Sequence, residues 1–415
     1  MSWSTMGARL VGRREASSPI TFLGLVLPAG ISGGFVSITL PFILTREGFS
    51  VAQASAIAAL GLFPNVWRFL WGPIADLSLT MRQWYCIGIA SSAASLLILA
   101  FAPLHGTAGH WLGAVVFVSQ VAATLIILPL GGLLAHTVAD EVKGRASGWY
   151  QAGNLGGTGI GGGAGLWLAT HFSRGTAGSA LALAMIASGV SILFVPNVRA
   201  TVSETVGQRL RLVSRDVISM VTAAVPLFTI ALVLSPLGAG AMNGLWSAVS
   251  ADWNASADRV ALVTGLLGGV VSAIGCIIGG WVADRHGRWW AYFGSGVALA
   301  AVASLMAIAP RDPFTFSVGV LAYALFCGMA YAAFSAIVLF AIGRGVASTK
   351  YALLGSLGNI PVVYMTVFNG WMHDRHGVAW MLQAEALVGV VSAGVGFAGY
   401  RAIVGKFDIR PQVRP

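Results

Sequence analysis

The stretch Gly280-Trp-Val-Ala-Asp-Arg-His-Gly-Arg288 ends one long apolar run of this sequence, and a close copy, Gly370-Trp-Met-His-Asp-Arg-His-Gly377, ends another. A shorter version, Gly72-Pro-Ile-Ala-Asp76, ends a third run. Asp76 and Asp284 lie 208 residues apart, about half of the 415-residue chain. A short charged segment that recurs between long apolar runs predicts a duplicated helical unit that crosses a membrane several times.

The composition of the chain also indicates a membrane protein. Apolar residues make up 57% of the sequence, charged residues make up 9%, and the mean hydropathy is +0.81. Soluble proteins have about a quarter of their residues charged. So few charges cannot cover the surface of a soluble protein of this length, so lipid is expected to solvate much of it.

Twelve apolar stretches are each long enough to cross a bilayer, which takes roughly 20 helical residues. We number them as spans one to twelve: 20–44, 51–76, 84–103, 111–138, 147–170, 178–197, 217–243, 257–283, 289–309, 314–342, 350–372 and 378–403. The sequence therefore predicts an all-α polytopic membrane protein with twelve transmembrane helices. The 54 glycines are suited to close packing between such helices.

The distribution of positive charge predicts the orientation. With both termini in the cytoplasm, eighteen Lys and Arg residues fall inside, five fall outside, and Arg68 completes the total of 24. Positive charge collects in cytoplasmic loops, so the net charge of +10 is an orientation signal that needs no nucleic-acid partner. We expect Met1–Pro19 to be a cytoplasmic tail before an uncleaved first helix. The three cysteines lie inside spans, where packing is their expected role.

The longest polar interruption, 199–216, divides the spans six and six. It predicts an N-terminal half (1–198), a linker (199–216) and a C-terminal half (217–415). Residues 208–216 of the linker fit either a short amphipathic helix on the membrane surface or a plain tether. Trp167 and Trp371 lie 204 residues apart, and Asn154 and Asn359 lie 205 apart, as a duplication would leave them.

Spans two, five, eight and eleven are the middle members of four triplets, and the matching ends of spans eight and eleven lie on opposite sides of the membrane. Nested inverted triplets are the plan of the major facilitator transporters, and Gly280–Arg288 resembles their loop signature. The resemblance implies that this loop latches one half against the other; a loop that only fixes topology is the alternative. The expected gating residues are Gly280, Asp284, Arg285 and Arg288, with Asp76 in the degraded first copy, Arg145 before span five and Arg344 before span eleven.

Polar residues inside spans mark the expected cavity, because such residues are costly in lipid and turn inward. They are Gln120, Gln151, Asn154, Asn243, Tyr323, Tyr331, Asn359, Tyr364 and Asn369. Each is a candidate substrate contact or a helix–helix bond. Glu385 is the acidic residue clearly inside a span and a candidate for proton coupling, unless it turns outward from a peripheral helix. His136 is a weaker candidate.

The stretch 62–76 places Arg68 between Trp67 and Phe69, deep within span two. It resembles one branch of the facilitators, which contains muropeptide permeases, acetyl-CoA transporters and permeases for siderophores of the rhizobactin and pyochelin type. The matching residues are Pro64, Arg68, Phe69, Leu70, Trp71, Pro73 and Asp76, and Leu27–Gly33 of span one is also similar. The compact chain is closest in length to the siderophore permeases. The branch implies that Arg68 binds an anionic group or takes part in gating; a structural anchor is the alternative.

The resemblance implies proton-driven import of a siderophore across a bacterial inner membrane, by a monomer without a cofactor. A muropeptide permease and a membrane receptor or assembly factor are the rival functions. Trp67, Trp71, Tyr323, Tyr331, Tyr364 and Trp371 would suit a flat aromatic ligand. An enzyme is not expected, because no paired carboxylates, metal-spaced histidines or nucleophile elbow occur. The glycine run 156–163 lies in an apolar span without the residues of a phosphate-binding loop.

Overall fold

The computed structural model describes residues 17–47, 49, 57, 60, 61, 63–65, 67–71, 78–103, 109–196, 206–238, 240, 242, 245, 246, 249–342 and 347–404. Every regular element among these residues is a helix. The first five helices are α1 (Thr21–Gly34, continuing through a π turn at Phe35–Thr39 into Leu40–Arg46), α2 (Met81–Phe101), α3 (Gly109–Thr137), α4 (Lys143–Gly159, a π turn at Ile160–Ala164, then Gly165–His171) and α5 (Arg174–Gly189, ending in the 3-10 turn Val190–Phe194). They correspond to spans one and three to six.

The remaining helices begin within the predicted linker and continue to residue 404. They are α6 (Val206–Thr222), α7 (Ala224–Val233), α8 (Ala257–Val260, a π turn at Ala261–Leu267, then Gly268–His286), α9 (Arg288–Ile308), α10 (Pro313–Ile342), α11 (Ala347–Leu357 and Asn359–His376) and α12 (Val378–Gly399, then a π turn at Tyr400–Val404). Helices α7 to α12 correspond to spans seven to twelve. Span two lies mostly outside the described residues, which include its 3-10 turn Arg68–Leu70.

Nine helices of the described chain are long and apolar enough to cross a membrane: Thr21–Leu44, Met81–Phe101, Trp111–Thr137, Arg174–Phe194, Asp258–His286, Arg288–Ile308, Pro313–Ile342, Thr349–His376 and Val378–Val404. Three predicted spans are not among them. Span two is largely undescribed, α4 is rich in glycine and polar residues, and α7 is short. The chain is thus a multi-pass helical protein, and the count of twelve stays a prediction.

The duplicated His-Gly segments form the same structure at two places. α8 ends at His286 and α9 begins at Arg288, with Gly287 between them at φ +98°. α11 ends at His376 and α12 begins at Val378, with Gly377 at φ +82°. Glycine adopts such angles without the steric cost that a side chain would bring. The sequence echo therefore marks two equivalent helix corners.

Helix α4 lies at the centre of the packing. It contacts α1 on one side and both α8 and α10 on the other, so it joins the two predicted halves. The α4–α8 contact is very close, because a Cβ atom on Gly280 would lie 2.8 Å from the Cα atom of Gly148. Side chains there would push the helices apart, which explains the glycines on both helices.

Two of the irregular segments are glycine-rich: the π turn at Ile160–Ala164 and the break of span seven. The π turns of α1 and α4 pack together, and the Thr39 hydroxyl lies 2.9 Å from the carbonyl oxygens of both Gly161 and Gly162. Span seven is broken: α7 ends at Val233, before Pro236, and Gly238 and Gly240 have positive φ.

The linker region forms a helix, but its boundary differs from the prediction. Helix α6 continues through Thr222, past residue 217 where span seven was expected to begin, and Ala223 is extended. Pro226 explains the break, because proline cannot continue a helix from the preceding turn but is accepted in the first turn of a new one.

Candidate functional site

Arg68 lies between the two predicted halves. Its guanidinium group is so close to α11 that a Cβ atom on Gly355 would overlap it. The neighbouring Asn65 also contacts α11, because its carbonyl oxygen accepts a hydrogen bond from the Ser356 hydroxyl at 3.2 Å. The Nε atom of Arg68 is buried and has no hydrogen-bond partner in the described part of the chain. Span two thus holds a partly unsatisfied cation against α11.

Two tyrosines from opposite halves lie within electrostatic range of the Arg68 charge: Tyr150 of α4 and Tyr351 of α11. Their rings meet edge to face, with centroids 6.0 Å apart, and both residues are buried. This pair was not among the site residues predicted from the sequence. Its signal was the separation of 201 residues, close to the 204 and 205 that separate the other echoes.

A hydrogen-bonded chain continues from these tyrosines along α4. Gln151 Nε2 donates to the Ser335 hydroxyl of α10 at 2.6 Å, and Ser335 also lies 3.5 Å from the Tyr351 hydroxyl. Asn154 Nδ2 faces Gln151 Oε1 at 3.4 Å. We call Arg68, Tyr150, Gln151, Ser335 and Tyr351 the interface cluster. It brings together one cation and several neutral hydrogen-bonding groups from span two, α4, α10 and α11, as an anion-binding site requires.

Other predicted contact residues have structural partners instead. Gln120 Nε2 donates to the Ser32 hydroxyl of α1 at 3.1 Å, and Asn359 Nδ2 donates to the carbonyl oxygen of Gly355 at 3.2 Å. Trp71 Nε1 donates to the Thr124 hydroxyl at 3.0 Å. The bonds of Gln120 and Trp71 join different helices and that of Asn359 lies within α11, and all three leave the side chains less free to bind a ligand.

Three aromatic candidates lie in different surroundings. Trp67 is 43% exposed and its ring lies 6.1 Å from that of Phe63. Tyr364 donates from its hydroxyl to the carbonyl oxygen of Leu234, at the break of span seven, at 2.9 Å. Tyr331 of α10 is partly buried. The structure therefore does not gather all predicted aromatic residues around one point.

Three predicted site residues, Asn243, Asp76 and Arg344, lie outside the described residues. His136 is within them, and its Nδ1 atom lies 2.7 Å from the carbonyl oxygen of Gly132 in its own helix. His136 thus contacts its own backbone and is not part of the interface cluster.

Asp284 connects the end of α8 to the start of α4. It accepts bonds from the backbone amides of Gly144 at 2.6 Å and Arg145 at 2.9 Å, and from Arg145 Nε at 3.0 Å. A carboxylate is favoured at a helix N-terminus, where free N–H groups point outward. We call these three residues the latch. The other loop arginines lie over aromatic rings, Arg285 over Trp281 at 5.4 Å and Arg288 over Phe340 at 4.3 Å.

Glu385 turns into the bundle rather than outward. The Tyr323 hydroxyl of α10 donates to its Oε1 atom, and Asn369 Nδ2 of α11 donates to its Oε2 atom. Trp246 packs edge to face against Tyr323, with centroids 5.4 Å apart. We call Tyr323, Asn369 and Glu385 the carboxylate cluster. In the described part of the chain no cation contacts Glu385, so its charge lacks a counter-ion.

A narrow cleft separates the carboxylate cluster from the break of span seven. Its walls include Pro236, Gly238 and Gly240 from the break, and Gly296 of α9 together with Tyr323 and Glu385. The buried carbonyl oxygen of Leu237, within the break, accepts a hydrogen bond from the Tyr292 hydroxyl at 2.5 Å. Broken helices beside a polar site are common where transporters bind substrates and ions.

No protein-family model matches the sequence, and no curated protein matches it. Solved structures do resemble the fold. The human organic anion transporter MFSD10 (TETRAN) aligns with a TM-score of 0.68 at 14% identity, over 92% of this chain and 99% of that chain. The major facilitator proton:xylose symporter XylE, bound to 6-bromo-6-deoxy-D-glucose, aligns with a TM-score of 0.67 at 12% identity, over 92% and 95%.

At such low identity these structures establish the fold alone. The expected major facilitator fold is confirmed at that level. The branch with muropeptide and siderophore permeases, the twelve-helix count and the inverted triplets stay predictions.

Proposed function

We propose that this protein is a secondary active transporter of the bacterial inner membrane that imports a siderophore together with protons. The observation that carries the proposal is Arg68, a cation between the two halves whose Nε atom is buried without a partner in the described chain. A cation in this position is costly unless it meets an anion. The substrate is expected to supply that anion.

The surroundings of Arg68 favour an organic anion with aromatic character. Tyr150 and Tyr351 offer hydroxyl groups and ring edges beside the guanidinium, and Ser335 and Gln151 extend the polar surface. An aromatic siderophore that carries an anionic group would pair that group with Arg68. MFSD10, which shares the fold, is itself an organic anion transporter.

Glu385 is the proposed proton carrier. It is held by Tyr323 and Asn369 within the bundle, at a cleft beside a broken helix. A partly buried carboxylate without a counter-ion gains and loses a proton more readily than it tolerates an isolated charge. XylE, with the same fold, is a proton symporter.

The latch is the proposed inner gate. In the orientation that the charge bias favours, both termini and the Asp284–Arg145 contact lie on the cytoplasmic side. Release of this contact would let α4 and α8 separate there and open the interface cluster to the cytoplasm. The transporter works as a monomer in this proposal, with a lipid bilayer and a small molecule as its partners and the proton gradient as its energy source.

Uptake into proteoliposomes tests the function. Purified protein would be reconstituted, a proton gradient imposed with the lumen alkaline, and a labelled ferric siderophore of the pyochelin type supplied outside. Accumulation above equilibrium that an uncoupler abolishes would support the proposal, and protein-free vesicles are the control.

The same vesicles distinguish the rival functions. Uptake of an anhydro-muropeptide in place of the siderophore would replace the substrate assignment, because the span two resemblance covers those permeases also. Absence of transport for both, in protein that binds one of them, would favour a receptor and overturn the transport proposal.

A further inference from the structure

The side-chain amide of Asn369, in the carboxylate cluster, donates hydrogen bonds through its nitrogen, but its oxygen accepts none in the described chain. The residue is fully buried on α11. Its Nδ2 atom donates to Glu385 Oε2 and also faces the Met242 sulfur at 3.6 Å. Its Oδ1 atom is buried and has no hydrogen-bond partner in the described chain. A buried acceptor without a donor is uncommon and needs an explanation.

The hydrogen bonds at Glu385 identify the protonation state that this arrangement suits. Both partners, Tyr323 and Asn369, donate to the carboxylate. An ionised carboxylate only accepts, whereas a protonated carboxyl group must also donate. The orientation of Asn369 seen here is therefore the one that fits ionised Glu385.

In the part of the chain that the structure describes, the walls around Glu385 supply no other charge. α9 presents Gly296, Leu299 and Ala300, α11 presents Met365, and the break of span seven presents Pro236 and two glycines. In the described chain, Tyr323 is the titratable side chain that contacts Glu385, and Cys327 of α10 is within electrostatic range of Tyr323. The two groups that respond to the protonation of Glu385 are therefore the neutral side chains of Tyr323 and Asn369.

Of these two neighbours, Asn369 has the free acceptor. The Tyr323 oxygen already interacts with the backbone amide of Met242. When Glu385 takes a proton, its new O–H group needs an acceptor. A half-turn of the Asn369 side-chain amide would bring the unpaired Oδ1 atom to the position that Nδ2 now holds, beside Glu385. The turn needs no change of volume, because the oxygen and nitrogen ends of an amide have nearly the same size and shape.

We propose that Asn369 is a positioning residue whose amide turns with the protonation of Glu385, donating Nδ2 to the ionised carboxylate and accepting with Oδ1 from the protonated one. This inference rests on the proposed role of Glu385 as proton carrier. The turn also replaces the N–H group that faces Met242 with an oxygen. Met242 follows the break of span seven. The protonation of Glu385 therefore changes the polar group that faces this broken segment.

The test compares Asn369→Leu with Thr366→Val in the proteoliposome assay. Thr366 lies on the same helix, and its hydroxyl bonds to the Val362 carbonyl of its own helix. For Asn369→Leu we expect counterflow exchange to persist, proton-driven accumulation to fall about tenfold, and the pH midpoint of uptake to rise by about one unit, because the ionised carboxylate loses a donor. Thr366→Val should change neither measurement.

Infrared difference spectra between low and high pH give a second readout that a purely structural role would not move. In the unmodified protein the protonated Glu385 carboxyl donates to Asn369, which lowers its C=O stretching frequency. In Asn369→Leu that band should move to higher frequency. If the leucine variant fails to fold, Asn369→Asp replaces it, because aspartate has nearly the same size as asparagine. Asn369→Asp should also raise the pH midpoint of uptake, because two adjacent carboxyl groups share one proton.

Glu385→Gln separates the two proposals. If that variant still accumulates substrate against its gradient with protons, Glu385 is not the proton carrier and the role of Asn369 falls with it. If Glu385→Gln loses accumulation while Asn369→Leu leaves both the pH midpoint and the carboxyl band unchanged, the amide turn is overturned and the role of Glu385 stands.

Discussion

Arg68 shows how much a single residue can reveal. Its sequence setting, a charge between two aromatic residues within an apolar span, already made it the first candidate site residue. The structure adds that its guanidinium reaches α11 of the other half and that its Nε atom is buried without a described partner. An arginine that only anchored the helix would be expected to bond to backbone carbonyl groups.

Arg82 provides that contrasting case and the matched control. Its Nη2 atom donates to the carbonyl oxygens of Ile192 at 3.2 Å and Val195 at 2.9 Å, which fastens the end of α5 to α2. The Nε atom of Arg82, like that of Arg68, is buried without a partner in the described chain, but the two bonds from Nη2 to backbone carbonyls give Arg82 the bonding pattern of a structural arginine.

We predict that Arg68→Ala lowers uptake by at least about a hundredfold while the amount of folded protein in the membrane stays the same. Loss of one member of a buried charge pair costs roughly 3 kcal/mol, which corresponds to that factor. Arg68→Lys should recover only part of the rate, because an ammonium group cannot pair with an anion through two parallel bonds. Arg82→Ala should instead lower the thermal stability of the protein. Normal uptake by Arg68→Ala would show that the charge is not needed.

Residue patterns predicted the sites unevenly, for a physical reason. Arg68, Gln151 and Glu385 stand out because a polar group inside an apolar span is costly. The sequence did not predict the roles of Tyr150, Ser335 and Tyr351. Each is a common residue in its own helix and contributes to the site only through contacts between the two halves. Gln120 and Asn359 were equally prominent in the sequence, yet they bond to neighbouring or local backbone and hydroxyl groups.

At the scale of elements, helix ends were more predictable than helix interiors. The duplicated His-Gly segments mark two corners because glycine is needed at the positive φ of Gly287 and Gly377. The glycine run of span five forms a π turn at Ile160–Ala164, and the local sequence does not fix this form. That turn packs against a second π turn in α1, so its form depends on a partner far away in the chain.

The latch gives the prediction at this scale. Asp284→Ala removes three bonds to the start of α4, whereas Arg145→Ala removes one and keeps the two from backbone amides. Hydrogen bonds from backbone amides to a charged group contribute about 1.5–3 kcal/mol each, whereas the ion pair of the half-exposed Arg145 side chain contributes about 1 kcal/mol or less. We therefore expect Asp284→Ala to lower the maximal uptake rate about tenfold or more and Arg145→Ala to lower it only a few-fold. The initial rate of labelled-substrate uptake measures both.

The order of these two effects is the decisive result. If Arg145→Ala were as damaging as Asp284→Ala, the ion pair rather than the capped helix terminus would hold the contact. If neither changed uptake, the contact would serve topology alone, which is the alternative that the loop motif left open.

At the scale of the whole molecule, the composition, charge bias and span pattern led to the fold that the structural neighbours share. What they could not supply is how closely the halves meet. The α4–α8 contact depends on glycines from both halves, and Gly148 and Gly280 lie far apart in the chain. Sequence patterns describe each helix face, whereas the crossing is decided jointly by two faces.

This crossing can be tested with a disulfide. A Cβ atom on Gly156 of α4 would lie 3.7 Å from the Cβ atom of Ala273 of α8, close to the usual separation of about 3.8 Å in a disulfide. We predict that Gly156→Cys with Ala273→Cys, in a chain whose Cys86, Cys276 and Cys327 are replaced, forms a disulfide under mild oxidation. After cleavage at a protease site inserted in the linker, the two halves should migrate together on a gel and separate on reduction.

Gly156→Cys with Val270→Cys is the control, because Val270 lies one turn away on α8 and is half exposed. Efficient linking of the control pair, or none of the predicted pair, would mean that α4 and α8 do not cross as described.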